Sequence, residues 1–97
     1  MKGKSQAIVI NEKDTVATAL EPLRKGAQVT AEVQGRFEVI TLVSDIPMGH
    51  KFALKDIETG ETVIKYGEPI GQSTTKIRRG EHVHVHNVIS QPRGGSQ

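Results

Sequence analysis

The sequence contains no cysteine, which excludes disulfide bonds, thiolate-bound metal centres and a cysteine nucleophile within the chain. Tryptophan is also absent, and with two Phe and one Tyr the hydrophobic core has to be built mainly from Val, Ile, Leu and Ala. No apolar run approaches the roughly 20 residues that cross a membrane, and Ala7–Ile10 is too short to be the core of a signal peptide. We therefore expect a cytoplasmic protein that does not contact membranes.

The chain has 97 residues, which predicts one small domain. Its 13 Lys and Arg residues and 11 Asp and Glu residues are interspersed and leave a net charge of +2. Nucleic-acid binding usually needs a basic stripe or a platform of aromatic side chains, and the sequence has neither. A nucleic-acid partner is therefore not expected.

Short apolar segments bounded by turns predict a mainly β, barrel-like domain. The segments Gln28–Val33 and Phe37–Val43 flank Gly35 in the way that two strands flank a hairpin turn. The last strand is predicted over Val83–Ile89, and no tandem repeat is evident. The other predicted strands are Ala7–Ile10, Phe52–Ile57 and Thr62–Tyr66.

One short N-terminal helix is predicted as the exception to this pattern. Asp14 can cap it, and Val16, Leu20 and Leu23 lie about one turn apart on one side. Because Pro22 disfavours a helical residue before it, the helix should end near Leu20. The domain is predicted to span residues 6–90, with disordered segments at 1–5 and 91–97.

The most unusual feature of the sequence is the alternating run His82, His84 and His86. On a strand, this spacing would place the three imidazoles on one face and Val83 and Val85 on the other, toward the core. Residues two apart on a strand are about 6.6–6.8 Å apart, so two imidazoles can reach one metal ion with bonds of about 2.0–2.1 Å. No further ligand from another element is identifiable. The run is therefore a solvated polar face, a metal site, or a set of acid–base groups that act with a partner, a task suited to the usual histidine pKa.

Two further pairs of polar residues adjoin predicted turns. His50-Lys51 begins one predicted strand, and Lys65-Tyr66 ends another. A His-Lys pair on a loop can hold a carboxylate or donate a proton, and a solvated turn is the alternative interpretation. The sequence contains no nucleophile elbow, Walker loop or dinucleotide-binding fingerprint. The residues alone therefore predict a small β-rich domain that presents a histidine face, and they do not specify a reaction.

Several segments, in order, resemble a family of sugar-acid dehydratases. They are Asp14–Leu20 (DTVATAL), Ile46–Ile57 (IPMGHKFALKDI), Gly60–Gly71 (GETVIKYGEPIG) and Gly80–Val88 (GEHVHVHNV). With these motifs the chain resembles the SAF domain at the N-terminus of altronate and galactarate dehydratases. The same domain occurs as the separate small subunit of split members, which include sulfolactate sulfo-lyase.

The resemblance implies a β-clip fold and a lyase reaction. In that reaction a proton is removed beside the carboxylate of a sugar acid, and hydroxide is lost from the neighbouring carbon. Family dehydratases depend on ferrous iron, so Fe²⁺ or another divalent metal is expected in the assembled enzyme, held mainly by the large subunit. Fused members continue into a much larger domain, so this chain is expected to be a separate small subunit or a fragment. Its polar tail favours the small subunit, and the isolated chain is expected to be inactive.

The resemblance leaves three functions open. The first is the small subunit of a two-component dehydratase of the altronate type, which works with a large dehydratase subunit on a sugar acid. The second is the small subunit of sulfolactate sulfo-lyase, which expels sulfite rather than water. The third is a non-catalytic module that binds a ligand or a metal, because SAF domains also occur in proteins resembling antifreeze proteins and pilus or flagellar chaperones.

The matched motifs also imply which residues face the shared active site. The predicted catalytic residues are His50, His82, His84 and His86. The predicted substrate-binding residues are Lys51, Lys65, Tyr66 and Asn87. The metal ligands are not assigned, with His82, His84 and His86 as the candidates.

Overall fold

The computed structural model describes residues 6–33 and 35–90, and in this part the chain forms nine short strands and no helix. The same residues therefore contain no helix long and apolar enough to cross a membrane. The disorder predicted for 1–5 and 91–97 lies outside the described residues. The strands are β1 (Ala7–Val9), β2 (Val16–Ala19), β3 (Gln28–Val33), β4 (Arg36–Thr41), β5 (Lys51–Ala53), β6 (Thr62–Lys65), β7 (Glu68–Ser73), β8 (His82–Val83) and β9 (Val88–Ser90).

The strands form one large and one small sheet. The large sheet has the order β4-β3-β1-β2-β5-β8, and the small sheet has the order β6-β7-β9. Strands β1 and β3 are parallel, and the other neighbouring strands are antiparallel. The predicted hairpin around Gly35 is confirmed, because Val33 pairs with Arg36. The prediction of a mainly β protein is likewise confirmed, and the two sheets are consistent with a β-clip.

The predicted N-terminal helix is wrong, because its residues form β2 in the interior of the large sheet. Val16 pairs with Ala53 of β5, and Ala19 pairs with Ala7 of β1, so both edges of β2 are hydrogen-bonded. Leu20, which a helix would have buried beside Val16, is 50% exposed. Backbone pairing on both sides outweighs the weak local preference for a helix, and the β-branched side chains of this segment favour the strand.

The residue predicted to cap that helix connects two loops instead. The Asp14 carboxylate accepts hydrogen bonds from the backbone N–H of Asn11 (3.2 Å) and of Gly67 (2.8 Å). Asp14 is 8% exposed, so these bonds satisfy a largely buried charge. The loop before β2 is thereby attached to the turn between β6 and β7.

One turn conformation recurs four times among the described residues. An apolar residue is followed three positions later by a glycine with φ between 84° and 88°, where glycine is favoured because it has no Cβ. The residue after the glycine donates its N–H to the carbonyl of the residue after the apolar one, at 2.9–3.0 Å. The apolar residues also form isolated antiparallel bridges, Leu23 with Ile46 and Ile57 with Ile77. The four turns begin and end at Leu23 and Gly26, Ile46 and Gly49, Ile57 and Gly60, and Ile77 and Gly80.

Two adjacent residues of β5 belong to different hydrophobic clusters. Phe52 and Ala53 are both fully buried, at 0% exposure. Their side chains point to opposite faces of the strand, as alternation along a strand requires. Phe52 lies in a cluster with Val29, Ile40, Leu42 and Ile46, and Ala53 lies in one with Val16, Ile57, Val63, Ile77 and Val83.

Candidate functional site

The histidine run does not form the single strand that the sequence predicted. Strand β8 ends at Val83, residues 84–87 form a turn, and β9 begins at Val88. Val83 is fully buried as predicted, but Val85 is 82% exposed, so the prediction that Val85 faces the core is wrong. The side chains therefore alternate between the two faces of a strand only as far as Val83.

The side chain of Asn87 holds this turn in place. Its Oδ1 atom accepts the N–H of His84 at 3.0 Å, and its Nδ2 group donates to the carbonyl of His82 at 2.9 Å. Asn87 is 1% exposed. With both ends of a buried amide bonded within the turn, Asn87 positions the two histidines. Its predicted contact with substrate stays untested.

The turn brings two histidines of the run together with His50, which lies 32 residues earlier than His82. Nδ1 of His50 lies 2.9 Å from Nε2 of His82. The His50 ring also stacks on that of His84, with centroids 4.4 Å apart. One ring nitrogen from each of the three residues lies within 4.8 Å of the other two. We call His50, His82 and His84 the histidine cluster. The sequence left the metal ligands unassigned, with His82, His84 and His86 as the candidates, and did not identify His50 as an imidazole contributed by another element.

The register of the strands explains this convergence. His50 directly precedes β5, and β5 pairs with β8 so that Phe52 lies opposite His82. The backbone of His50 is fixed on both sides, since its N–H donates to Pro47 at 3.0 Å and its carbonyl accepts from Ala19 at 2.9 Å. Sheet pairing thus positions His50 and His82, and the Asn87 side chain positions His84.

A comparison among the four recurring turns shows why the His50 side chain is available. In two of them the residue after the glycine is a glutamate that caps its own turn: Glu61 accepts the N–H of Glu58, and Glu81 accepts the N–H of Arg78, each at 2.8 Å. His50 occupies the corresponding position, where the N–H to be capped would belong to Pro47. Proline has no N–H, so the turn requires no cap and the imidazole is directed to the cluster. This comparison is the signal in the sequence that could have identified His50.

The structure also brings two predicted substrate-binding lysines together in a cavity of about 300 Å³. Burial, and secondarily the charge of Lys65, lower the pKa of Lys51. Two cationic side chains beside apolar walls can bind a small anion that carries a carbon chain. His84 belongs both to the cavity wall and to the histidine cluster. The cavity is lined by Lys51, Lys65, His84 and Ser90, and by the apolar side chains of Ile70, Val83, Val85 and Val88.

The neutral forms of two imidazoles are favoured in this setting. Burial makes the largest contribution to lowering the pKa of His82, and the charges of His50, His86, His84 and Lys51 lower it further. Desolvation and the charges of His50, Lys51 and His86 lower the pKa of His84 in the same way. No carboxylate is part of the cluster, so nothing within it stabilises the imidazolium form. A neutral imidazole can accept a proton or bind a metal ion.

The two remaining predicted residues lie at the border of the site. The His86 ring is 5.3 Å from that of His82, but its nitrogens are not among the three that converge. Tyr66 is 51% exposed at the turn between β6 and β7, where its φ of 58° is unusual for a residue with a side chain. The ammonium of Lys65 lies 4.7 Å from the centre of the Tyr66 ring, which is a cation–π contact. Tyr66 thus contacts a lysine that lines the cavity but does not itself line it. The predicted catalytic and substrate-binding roles of these residues remain predictions.

Comparison with known proteins identifies the family. The sequence model described as the altronate/galactarate dehydratase SAF domain matches residues 5–91. The chain is 48% identical over 83 residues to an altronate dehydratase of Escherichia coli, a match that covers 86% of this chain and 16% of that enzyme. An altronate dehydratase of Bacillus subtilis is 40% identical over 81 residues, 84% of this chain and 16% of that enzyme.

A second kind of relative has nearly the same length as this chain. The (2R)-sulfolactate sulfo-lyase subunit alpha of Chromohalobacter salexigens is 42% identical over 84 residues, which cover 84% of this chain and 89% of that subunit. This chain therefore spans a small part of the altronate dehydratases and most of the sulfo-lyase subunit. The matches confirm the resemblance seen in the motifs, and the chain belongs to the SAF-domain family of the altronate and galactarate dehydratases.

Proposed function

We propose that the chain is the small subunit of a two-component sugar-acid dehydratase of the altronate type. In this proposal, it contributes histidines and lysines to an active site that it shares with a large subunit. The observation that carries the proposal is that His84 belongs both to the histidine cluster and to the cavity lined by Lys51 and Lys65. Proton-transferring groups and an anion-binding pair are thus adjacent, as a reaction beside a carboxylate requires.

The chemistry assigned to these residues is the elimination of water from a hydroxy acid. Lys51 and Lys65 bind the substrate carboxylate, and this contact lowers the cost of removing the proton from the adjacent carbon. The electrons of the broken C–H bond form a C=C bond as the neighbouring C–O bond breaks. A neutral imidazole of the cluster takes up that proton, and the imidazolium so formed protonates the departing hydroxide to water. The resulting enol tautomerises to a 2-keto acid. His50, His82, His84 and His86 are the proposed catalytic histidines.

Part of the machinery is proposed to lie in the large subunit. A divalent metal, in the first instance Fe²⁺ held mainly by that subunit, would supply positive charge to polarise the substrate oxygens. The cluster on this chain contains no carboxylate, so it offers no carboxylate–histidine pair to support the proton transfer. The isolated chain is therefore expected to have no dehydratase activity. The sulfo-lyase relative supports this division, because its name makes it one subunit of an enzyme.

Affinity purification of the tagged chain from its native lysate, followed by mass spectrometry and assay, tests the proposal. We expect a dehydratase-like chain several times larger to be recovered, and we expect altronate to be converted to a 2-keto acid only when both chains are present. A chain that is folded but recovered alone would contradict the proposal. The non-catalytic binding module would then be the better account.

A second candidate function is the small subunit of (2R)-sulfolactate sulfo-lyase. It is favoured by the match that covers 89% of a sulfo-lyase subunit alpha. Lysines that hold a carboxylate also suit a sulfonate, so the cavity is compatible with both substrates. Parallel assays of the recovered complex with altronate and (2R)-sulfolactate distinguish the two functions, because only the second reaction releases sulfite.

A further inference from the structure

We propose that His50, His82 and His84 bind a first-row transition-metal dication through one imidazole nitrogen each. This site lies entirely within the chain. It is separate from the metal proposed for the large subunit, and it does not depend on the proposed enzymatic function. A nitrogen that binds the ion does not transfer a proton, so the acid–base role proposed above belongs to the metal-free cluster.

The distances within the histidine cluster suit such an ion. Metal–nitrogen bonds of about 2.0–2.1 Å place the ligand nitrogens about 2.9 Å apart in octahedral geometry and about 3.4 Å apart in tetrahedral geometry. The nitrogens of His50 and His82 are already 2.9 Å apart. One ring nitrogen of His84 lies within 4.8 Å of a ring nitrogen of each of the other two residues. Side-chain rotations that move His84 inward by about 1–2 Å would complete a three-nitrogen face.

The backbone under these side chains is fixed before any metal binds. His50 is held by hydrogen bonds from its N–H to Pro47 and from Ala19 to its carbonyl. His82 lies in β8, and Asn87 connects the carbonyl of His82 to the N–H of His84. Only side-chain torsions remain to be ordered on binding, which keeps the entropic cost small.

The donor set determines which ions fit. Three neutral imidazoles without a carboxylate or carbonyl oxygen do not suit Ca²⁺ or Mg²⁺, which prefer oxygen ligands. Imidazole suits Zn²⁺, Fe²⁺, Co²⁺, Ni²⁺ and Cu²⁺. Three protein ligands leave at least one coordination position open. Because His84 also lines the cavity of Lys51 and Lys65, an open position on this side would face a bound anion.

Titration of the tag-free, full-length chain with Co²⁺, followed by visible absorption, and with Zn²⁺, followed by calorimetry, tests the site. We expect one ion per chain. His50→Gln, His82→Gln and His84→Gln should each weaken binding at least about tenfold. His86→Gln is the matched control, and its metal affinity should stay within about twofold of the unsubstituted chain. Circular dichroism of each metal-free variant establishes that the fold is retained.

Two outcomes would overturn the assignment. Absence of saturable binding at micromolar Co²⁺ and Zn²⁺ in the unsubstituted chain would exclude the site. If His86→Gln weakened binding as much as His82→Gln while His50→Gln did not, the ligands would be the sequential run instead. Neither the partner nor the substrate enters these measurements, so failure of the metal site is distinguishable from failure of the proposed function.

Discussion

The Nδ1 atom of His50 and the Nε2 atom of His82 face each other at 2.9 Å, a contact between residues 32 positions apart. At that distance one nitrogen carries the hydrogen and the other supplies the lone pair, so the pair is fixed in complementary tautomers. Protonation of both rings would place two hydrogens between the same nitrogens and break the contact. The pair therefore connects the protonation state of the cluster to the contact between β5 and β8.

Acidification is expected to destabilise the metal-free chain. The pKa values of His82 and His84 are lowered in the folded state, mainly by burial. In the unfolded chain they return to about 6.5, so below that pH the unfolded state binds protons that the folded state resists. The free energy of unfolding should be constant above about pH 7.5 and fall as the pH drops through about 6.5 toward the lower folded values. Urea denaturation between pH 8 and pH 5 measures this free energy of unfolding. A chain that became more stable on acidification would contradict the prediction.

His82→Gln provides the control for that experiment. The variant removes one group whose pKa is lowered and keeps a polar side chain of similar length. Its stability should therefore depend less steeply on pH below 6.5 than that of the unsubstituted chain. Equal slopes in the two proteins would assign the pH dependence to other residues.

Loss of the Asn87 side chain is expected to disturb both stability and the histidine cluster. Asn87→Ala leaves the N–H of His84 and the carbonyl of His82 without partners at a buried position, which should lower the free energy of unfolding by about 1–3 kcal/mol. Asn87→Asp keeps an acceptor for the N–H but cannot donate to the carbonyl, and it buries a charge, so it should not restore stability. Chemical denaturation gives the energies, and ring-nitrogen NMR spectra report the cluster. An Asp variant as stable as the unsubstituted chain would show that the donated bond is unimportant.

Two glycines with nearly the same φ, 84° at Gly60 and 86° at Gly80, provide a matched test of close backbone contact. At Gly80 an added Cβ would collide with the carbonyl oxygen of Thr41, whereas at Gly60 nothing lies within 4 Å of it. Gly60→Ala should cost only the strain of positive φ, about 1–2 kcal/mol. Gly80→Ala should cost at least about 1 kcal/mol more, because Thr41 belongs to a sheet strand and has to move. Denaturant midpoints of the two variants measure the difference in stability. Equal losses of stability would contradict the predicted collision with Thr41.

Removal of the Lys51 charge should impair substrate binding in the assembled enzyme. If Lys51 holds the substrate carboxylate, Lys51→Met should raise KM about tenfold to a hundredfold. This factor corresponds to the free energy of one charge-assisted hydrogen bond. Lys55→Met is the control, because Lys55 is exposed and its salt bridge with Glu61, at 3.4 Å, is a surface contact. Steady-state kinetics of the reconstituted complex separate KM from kcat. An unchanged KM in the Lys51 variant would remove Lys51 from the substrate site.

The sequence predicted most of the strands because their apolar residues alternate and glycines mark the turns. It did not predict β2 or β7. In β2, Val16 and Ala19 are buried by partners that lie far away in the chain. A local pattern carries no information about such partners. The error at Val85 has a related cause, because the hydrogen bonds of the Asn87 side chain end the strand although the alternation continues.

The candidate site was predicted only in part. The spacing of the histidine run placed His82 and His84 near each other, since neighbours in sequence remain neighbours in space. His50 joins them through the register of β5 and β8, which no single segment encodes. Pro47 and His50 stand where two of the other turns have a capped N–H and a capping glutamate, and this becomes visible only when the four turns are aligned with one another.

Strand β5 carries three functions in three consecutive residues. Lys51 lines the cavity, Phe52 fills one hydrophobic cluster, and Ala53 contributes to the other. Neither cluster can therefore come apart without displacing the strand that aligns His50 with His82. The local opening free energy of β5 should therefore approach that of global unfolding. Amide hydrogen exchange in β5 should accordingly be among the slowest in the domain.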